Sequence, residues 1–342
     1  MEIYDEYVTP TELSGYARAR ADDLAENQFT LSRWLPNQTI PDLTYRFNRG
    51  PVGLLDVADY RAYGGEPTFG RREGITRVEG SLPPLGHQML LGEYDQLLVR
   101  NAEPEVRDLL LRDSAAVAER IGRRVEVARG NALVNGSVTI AENGQYATVD
   151  FNRSPNHTVV AAVAWSDASN GVPLDNMEAW TETYLDTNGV RPAVALMSTK
   201  TARLARRSNQ VQRAIYGEDF ADRRVSLGDL NELLADDEMP QVVTYDATAA
   251  GRRIIPEGKV ILLPAPGDPN SDIAGSLGAS LWGTTLESQI ADYGIETGEE
   301  PGIVVAAFIQ KETPVHVNTV GSAIALPIMA NPDLSFVATV SS

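Results

Sequence analysis

Arg49–Gly86 reads RGPVGLLDVADYRAYGGEPTFGRREGITRVEGSLPPLG, an extended segment punctuated by glycine and proline. Two alternating runs within it, Leu54–Arg61 and Gly74–Leu82, predict strands joined through Gly64-Gly65-Glu66-Pro67. A lone two-stranded ribbon is marginal in water, so its apolar positions need a partner surface. The extended sequence on its N-terminal side makes a neighbouring subunit at least as good a partner as the chain's own core. Soon after, Pro104 to Val134 carries Val106, Leu109, Leu110, Val117, Ile121, Val125, Ala128 and Ala132 close to a 3.6-residue repeat, with Gly136 beyond the end. That predicts one amphipathic helix of roughly 45 Å, at about 1.5 Å per residue. Asp108/Arg112 and Glu119/Arg123 are four-apart pairs of opposite charge that support it locally. A long loop followed by a spine of this length points to assembly rather than catalysis.

Toward the N-terminus, Thr9-Pro10-Thr11-Glu12 opens a helix with a cap, a first-turn proline and a capping-box carboxylate. Leu13, Tyr16, Ala17, Ala21 and Leu24 share its face, and periodicity fades past Phe29–Pro36, so residues 1–48 read as a short helix on an extended arm. Toward the C-terminus, Ser137–Phe151 is a hairpin centred on Asn143-Gly144, whose φ requirements suit a two-residue turn. A helix follows from Pro173 through Trp180 and Tyr184, stopped at Asn188-Gly189. Then come a strand at Ala193–Met197, helices at Ser198–Arg207 and Ser226–Leu234, and strands at Val242–Tyr245, Lys259–Leu263, Gly302–Gln310, Ala323–Ile328 and Ser335–Val340. Strands and helices do not alternate regularly, which places the chain in the α+β class.

The 342 residues suffice for one large or two modest cores, and 43% hydrophobic with 22% charged residues is ordinary for a globular protein. No cysteine occurs, which removes disulfides and thiolate chemistry. The first residues, Met-Glu-Ile-Tyr-Asp-Glu-Tyr, lack a basic, apolar leader, and no apolar run approaches membrane-spanning length; the expectation is an intracellular product with no membrane partner. A net charge of -18 argues against a protein that grips nucleic acid through its phosphates, but is compatible with a container that does not hold the polymer tightly. Lysine is confined to Lys200, Lys259 and Lys311.

Chemistry is sparsely represented. His87, His157 and His316 stand far apart without ligand spacing. Asp268-Pro269-Asn270-Ser271-Asp272 starts like a calcium loop, yet Ile273 occupies the turn position that needs glycine and Ala279 the position of the bidentate Glu. Asp236-Asp237-Glu238 reads as a solvated acidic turn, and Gly275-Ser276-Leu277-Gly278 does not complete a phosphate-binding fingerprint. No catalytic residue, cofactor or metal is expected.

Several phrases, in order, resemble the major capsid proteins of tailed bacteriophages, specifically the lambda-type major capsid protein E family. They are Arg71-Arg72-Glu73-Gly74 to Leu82-Pro83-Pro84-Leu85-Gly86 leading into Glu93-Tyr94-Asp95; Trp165-Ser166-Asp167 with Pro173-Leu174-Asp175-Asn176; Val194–Ser198; Ile255–Pro264; and Ser322–Ile328. The resemblance implies the Hong Kong ninety-seven capsid fold: an N-terminal arm (1–48), an extended loop (49–86), a peripheral domain with spine helix and hairpin (87–190), an axial domain (191–310), and C-terminal strands returning to the peripheral domain (311–342). It further implies hexamers and pentamers of a shell enclosing double-stranded DNA without sequence-specific binding. Its expected partners are portal and scaffolding proteins and a decoration or cementing protein, with assembly in the host cytoplasm. Arg61, Tyr63, Phe69, Arg71, Arg72, Arg77 and Trp34 are the candidate inter-subunit contacts. Some relatives join subunits through an isopeptide bond from a loop lysine to a neighbouring asparagine. No lysine precedes Lys200 here, so a non-covalent shell is expected. The rival readings are an encapsulin-like compartment and an acidic α+β hydrolase.

Overall fold

A computed structural model describes residues 2–49, 76–99, 103–142, 144–218, 223–268, 273–296 and 301–341. In chain order the N-terminal part forms β1 (Glu2–Ile3), α1 (Pro10–Asn27), β2 (Asn37–Thr39), β3 (Thr44–Arg49), β4 (Thr76–Ser81), β5 (Pro84–Leu91), α2 (Glu93–Val99) and α3 (Glu103–Asn135). The middle forms β6 (Ser137–Glu142), β7 (Gln145–Asp150), β8 (Thr158–Val160), α4 (Pro173–Asn188), β9 (Val194–Met197), α5 (Thr199–Arg207), α6 (Asn209–Tyr216) and α7 (Leu227–Asp236). Beyond α7 the strands are β10 (Gln241–Thr244), β11 (Thr248–Ala249), β12 (Arg252–Arg253), β13 (Lys259–Leu263), β14 (Gly278–Gly283), β15 (Val304–Gln310), β16 (His316–Met329) and β17 (Phe336–Thr339), with short 3-10 turns among them.

Local chemistry sets the element ends. The Thr9 hydroxyl accepts from the Glu12 amide at the start of α1, with Pro10 in the first turn. Ser198, Ser208 and Ser226 cap α5, α6 and α7 in the same way, the last with Asp229 in a full capping box. Gly189, at φ 69°, ends α4 in the left-handed conformation. In β6–β7, Glu142 pairs with Gln145 across a two-residue loop in which Gly144 takes φ 81°.

Two compact units emerge. The first comprises Met1–Tyr45, Glu79–Ala132 and Ala279–Ile328. Its sheet has the order β1-β15-β16-β14-β2, with β5 also antiparallel to β16. The apolar faces of α1 and α3 close over it: Leu13, Ala17, Leu110, Val117, Ile121 and Val125 share a core with Val305, Ala307, Val317 and Ala323. Two serines tie the layers together. Ser14 Oγ donates to the Val305 carbonyl (3.1 Å) and accepts from the Val305 amide (2.9 Å), while Ser114 Oγ on α3 donates to the Leu13 carbonyl (2.8 Å). Helix and sheet approach so closely that a Cβ on Gly321 would lie 2.3 Å from Val117 Cγ1. Deeper along α3, the fully buried Glu126 accepts from the Leu31 amide (3.0 Å) and pairs with Arg129 (3.0 Å), whose Nε donates to Ser280 Oγ (2.8 Å) and whose Nη2 donates to Asn37 Oδ1.

The second unit comprises Arg46–Val78, Leu133–Gly278 and Met329–Ser342. Its sheet runs β10-β9-β13-β17-β8, with β9–β10 and β8–β17 parallel and β13 antiparallel to both its neighbours. Pro173, Leu174 and Met177 of α4, Ala205 of α5, and Leu230 and Leu234 of α7 meet Met197 and Val242 of the sheet in one apolar layer. Trp165 and Trp180 stack at 5.9 Å, and the buried Tyr184 hydroxyl donates to the Leu334 carbonyl (3.1 Å). Arg153 Nη1 and Nη2 donate to the carbonyls of Leu133 (2.7 Å) and Val134 (2.9 Å), a cation on the orphan acceptors at the end of α3.

The long helix, the hairpin, α4, β9, α5, α7, β10 and β13 form where the sequence predicts them, within a residue or two. Several expectations need correction. The stretch read as a short helix on an extended arm lies on its own chain: β1 pairs β15, α1 packs on the sheet core and β2 runs parallel to β14. The ribbon strand Thr76–Ser81 pairs with Thr44–Arg49, and the strand expected at Leu54–Arg61 falls outside the described residues. The C-terminal strands divide, β15 and β16 joining the six-stranded sheet and β17 the five-stranded one, where a single return was expected. Ala323–Ile328 is the end of a 14-residue strand that starts at His316. Helices α2 and α6 and strand β14 were not anticipated.

Candidate assembly surfaces

Of the seven contact candidates, Arg61, Tyr63, Phe69, Arg71 and Arg72 lie outside the described residues, and Arg77 is placed only by its backbone, in β4. Trp34 is 4% exposed, buried within its own chain, and so drops out as a surface contact. Its aromatic size reads equally well as core or interface, and the tertiary structure makes it core.

A surface the sequence reading missed lies on α2 and β5. In a helix that only covers a core, the apolar stripe turns inward. In α2 it turns outward: Tyr94, Leu97 and Leu98, spaced i, i+3 and i+4, are 73%, 58% and 67% exposed. Leu90, near the end of β5, is 64% exposed. Beside them is a cleft of about 500 Å³ whose apolar walls are Tyr4, Tyr7, Leu91, Leu97, Val106, Val315 and Val317. Two polar contacts hold α2 in place, Gln96 Nε2 donating to the Leu91 carbonyl (2.9 Å) and the Val315 amide donating to Glu93 Oε1 (2.9 Å). Exposed apolar side chains grouped on one short helix and the strand before it stand out on a protein surface. Seven residues are too few for periodicity to announce a helix, but the Tyr94/Leu97/Leu98 spacing was the available signal.

The histidines are dispersed by the fold. His157 is buried against Tyr184 and Phe336 with Nδ1 3.2 Å from the Ser335 carbonyl; burial lowers its pKa, opposed by the Ser335 and Asp333 contacts. His87 sits in β5 and His316 at the start of β16. Among the described residues, no group of three or more His, Asp or Glu side chains is arranged to hold a metal, and no helix is long and apolar enough to cross a membrane. The remaining residues of the calcium-like segment after Asp268, 269–272, fall outside the described residues.

The fold itself has solved counterparts. A crystal structure of a protein described as a prophage capsid protein, from Escherichia coli CFT073, superimposes with a TM-score of 0.60 at 14% identity, covering 96% of this chain and 99% of that one. A phage-related protein of Bordetella bronchiseptica RB50 gives 0.61 at 15% identity, covering 95% and 94%. The capsid of a native GTA particle gives 0.52 at 12% identity, covering 92% and 90%. No curated protein matches the sequence significantly. The family described as phage major capsid protein E matches residues 51–340. An α+β chain with a long helix, an outward apolar stripe and capsid counterparts over nearly its whole length thus belongs to the phage major capsid protein E family, as a self-assembling component of the virion shell.

Proposed function

We propose that copies of this chain associate through hexamers and pentamers into an icosahedral procapsid of a tailed phage, enclosing double-stranded DNA without reading its sequence. The carrying observation is the outward apolar stripe of α2 with Leu90 and the adjacent cleft, which a second copy would cover. Burial is favourable by about 25 cal/mol per Å² of apolar surface, and repetition around a shell multiplies that gain. In this reading the first unit, with its spine and six-stranded sheet, serves as the peripheral domain and the second as the axial domain. The extended loop expected at residues 49–86 would lie over an adjacent subunit, with Arg61, Arg71, Arg72 and Arg77 available to pair with its carboxylates. Portal and scaffolding proteins, and a cementing protein, complete the particle in the host cytoplasm, and the chain carries out no catalysis.

Sedimentation velocity and negative-stain microscopy of the purified protein test this. Closed shells or hexameric rings are expected. A homogeneous 37.1 kDa monomer at high concentration would refute it.

A further inference from the structure

Basic residues are unevenly placed in this acidic chain. Between Lys200 and Arg213 there are five cations, Lys200, Arg203, Arg206, Arg207 and Arg213, and no carboxylate. Helices α5 and α6 turn Thr201, Ala202, Ala205 and Val211 into the core, and expose Arg203, Arg207 and Arg213. Arg223, just beyond, is exposed and lies 5.3 Å over the Tyr216 ring. Helix α4 of the same unit has the opposite character. Its buried face is Pro173, Met177, Trp180, Thr181, Tyr184 and Asn188, and the face directly opposite is Asp175, Glu178, Glu182 and Asp186, all exposed, with no cation in the helix. Among the described residues Arg203, Arg207, Glu178 and Asp186 have no ionic partner, while Glu182 shares Arg191 (3.5 Å) with Glu238 (3.7 Å).

Each helix carries like charges side by side, although the last-turn Arg206 and Arg207 of α5 suit that helix's dipole. Glu178/Glu182, Glu182/Asp186 and Arg203/Arg207 are like charges four apart, each unfavourable by about 0.2–0.5 kcal/mol, and Asp186 opposes the dipole at the end of α4. Complementary charge on another body relieves both arrangements. The two surfaces occupy different helices of one unit, so a contact between them is heterologous, and its repetition between identical copies gives a ring where the rotation closes and an open filament where it does not. Copies with a net charge of -18 repel one another generally, which makes an exposed cationic face a place where a second copy is electrostatically welcome.

We propose that the cationic face of α5 and α6 on one copy seats against the α4 carboxylate stripe of the next, fixing the head-to-tail order of copies within a capsomer. The proposal rests on the shell reading above and adds the surfaces and direction of one contact. Charge pairs at a solvated rim act on orientation and association rate, and salt screens them.

The test compares the full-length wild type with E178K/D186K, with R203E/R207E and with the variant carrying all four changes. Sedimentation velocity is run at low and high salt, and far-UV circular dichroism verifies each fold. Both two-site variants should lose the higher oligomers that the wild type forms. Mixed together, they should recover assembly as alternating copies, because the α5 face of each variant then meets an α4 stripe of opposite charge on the other. The four-site variant should regain wild-type products, and high salt should suppress assembly of wild type and four-site variant alike. Wild-type products from either two-site variant, or no recovery in the four-site variant, would overturn the contact and leave the shell reading standing. Assembly lost only in R203E/R207E, together with a DNA duplex retained by the wild type and released by that variant, would assign the cationic face to nucleic acid instead. A wild type that remains monomeric throughout would overturn the shell reading and this contact with it.

Discussion

Glu126 shows how much one buried side chain holds. Its carboxylate joins the Leu31 amide to Arg129, and through Arg129 to Ser280 and Asn37, so helix α3, the segment after α1 and strands β2 and β14 share one charged junction. Removing one partner of a buried pair leaves an uncompensated charge, which typically costs about 3–5 kcal/mol. Glu126→Ala should therefore lower the denaturant midpoint sharply, whereas Glu126→Gln, which keeps an acceptor for the Leu31 amide, should lower it less. Equal midpoints for Glu126→Ala and wild type would show that the junction contributes nothing. His157 supplies a pH dependence. Burial lowers its folded pKa, so the unfolded chain takes up the proton first as pH falls. Its contribution is complete above about pH 6.5 and is lost progressively below it. His157→Phe, neutral at every pH, should flatten the decline in thermal stability between pH 7 and 5 even if it lowers stability overall; an unchanged slope would assign the decline to other groups.

At the scale of elements, α2 is the informative case. Its apolar stripe faces solvent, so polar replacement there should leave folding intact and act on association. Leu97→Asp with Leu98→Asp is expected to give a monomer with the wild-type circular dichroism spectrum and thermal midpoint, and to abolish shells. A variant that still assembles would show that this stripe is not an interface. Legibility followed the same division. Helix α3, the β6–β7 hairpin and α4 were readable because periodicity, an Asn-Gly turn and a proline-to-glycine frame act within a few residues. Helix α2 was not, since its seven residues, about two turns, hold too few positions to establish a period. Strand β14, Gly-Ala-Ser-Leu-Trp-Gly, is buried along its length and therefore lacks the alternation that marks a half-exposed strand.

For the whole molecule, the distribution of lysine makes the firmest prediction. With no lysine before Lys200, the loop at residues 49–86 has no amine to form an isopeptide bond. Particles boiled in detergent should migrate as monomers of 37.1 kDa, and a ladder of covalent multimers would contradict a shell held by non-covalent contacts.

The α+β class, the spine, the hairpin and the absence of thiol chemistry follow from residues close together in the chain, and so does the family resemblance carried by short phrases in order. The tertiary structure alone decided that the N-terminal stretch belongs to a core, that the C-terminal strands part between two sheets, that Trp34 is interior and that the apolar stripe of α2 is not. The reason is physical. Caps, turns and helical periods are set by free energies exchanged over a few residues, whereas the Ser14–Val305 and Arg129–Ser280 contacts join positions 291 and 151 residues apart. A pairing of that kind is settled by which surfaces the whole chain can bury together, and no local window of sequence contains both of its members.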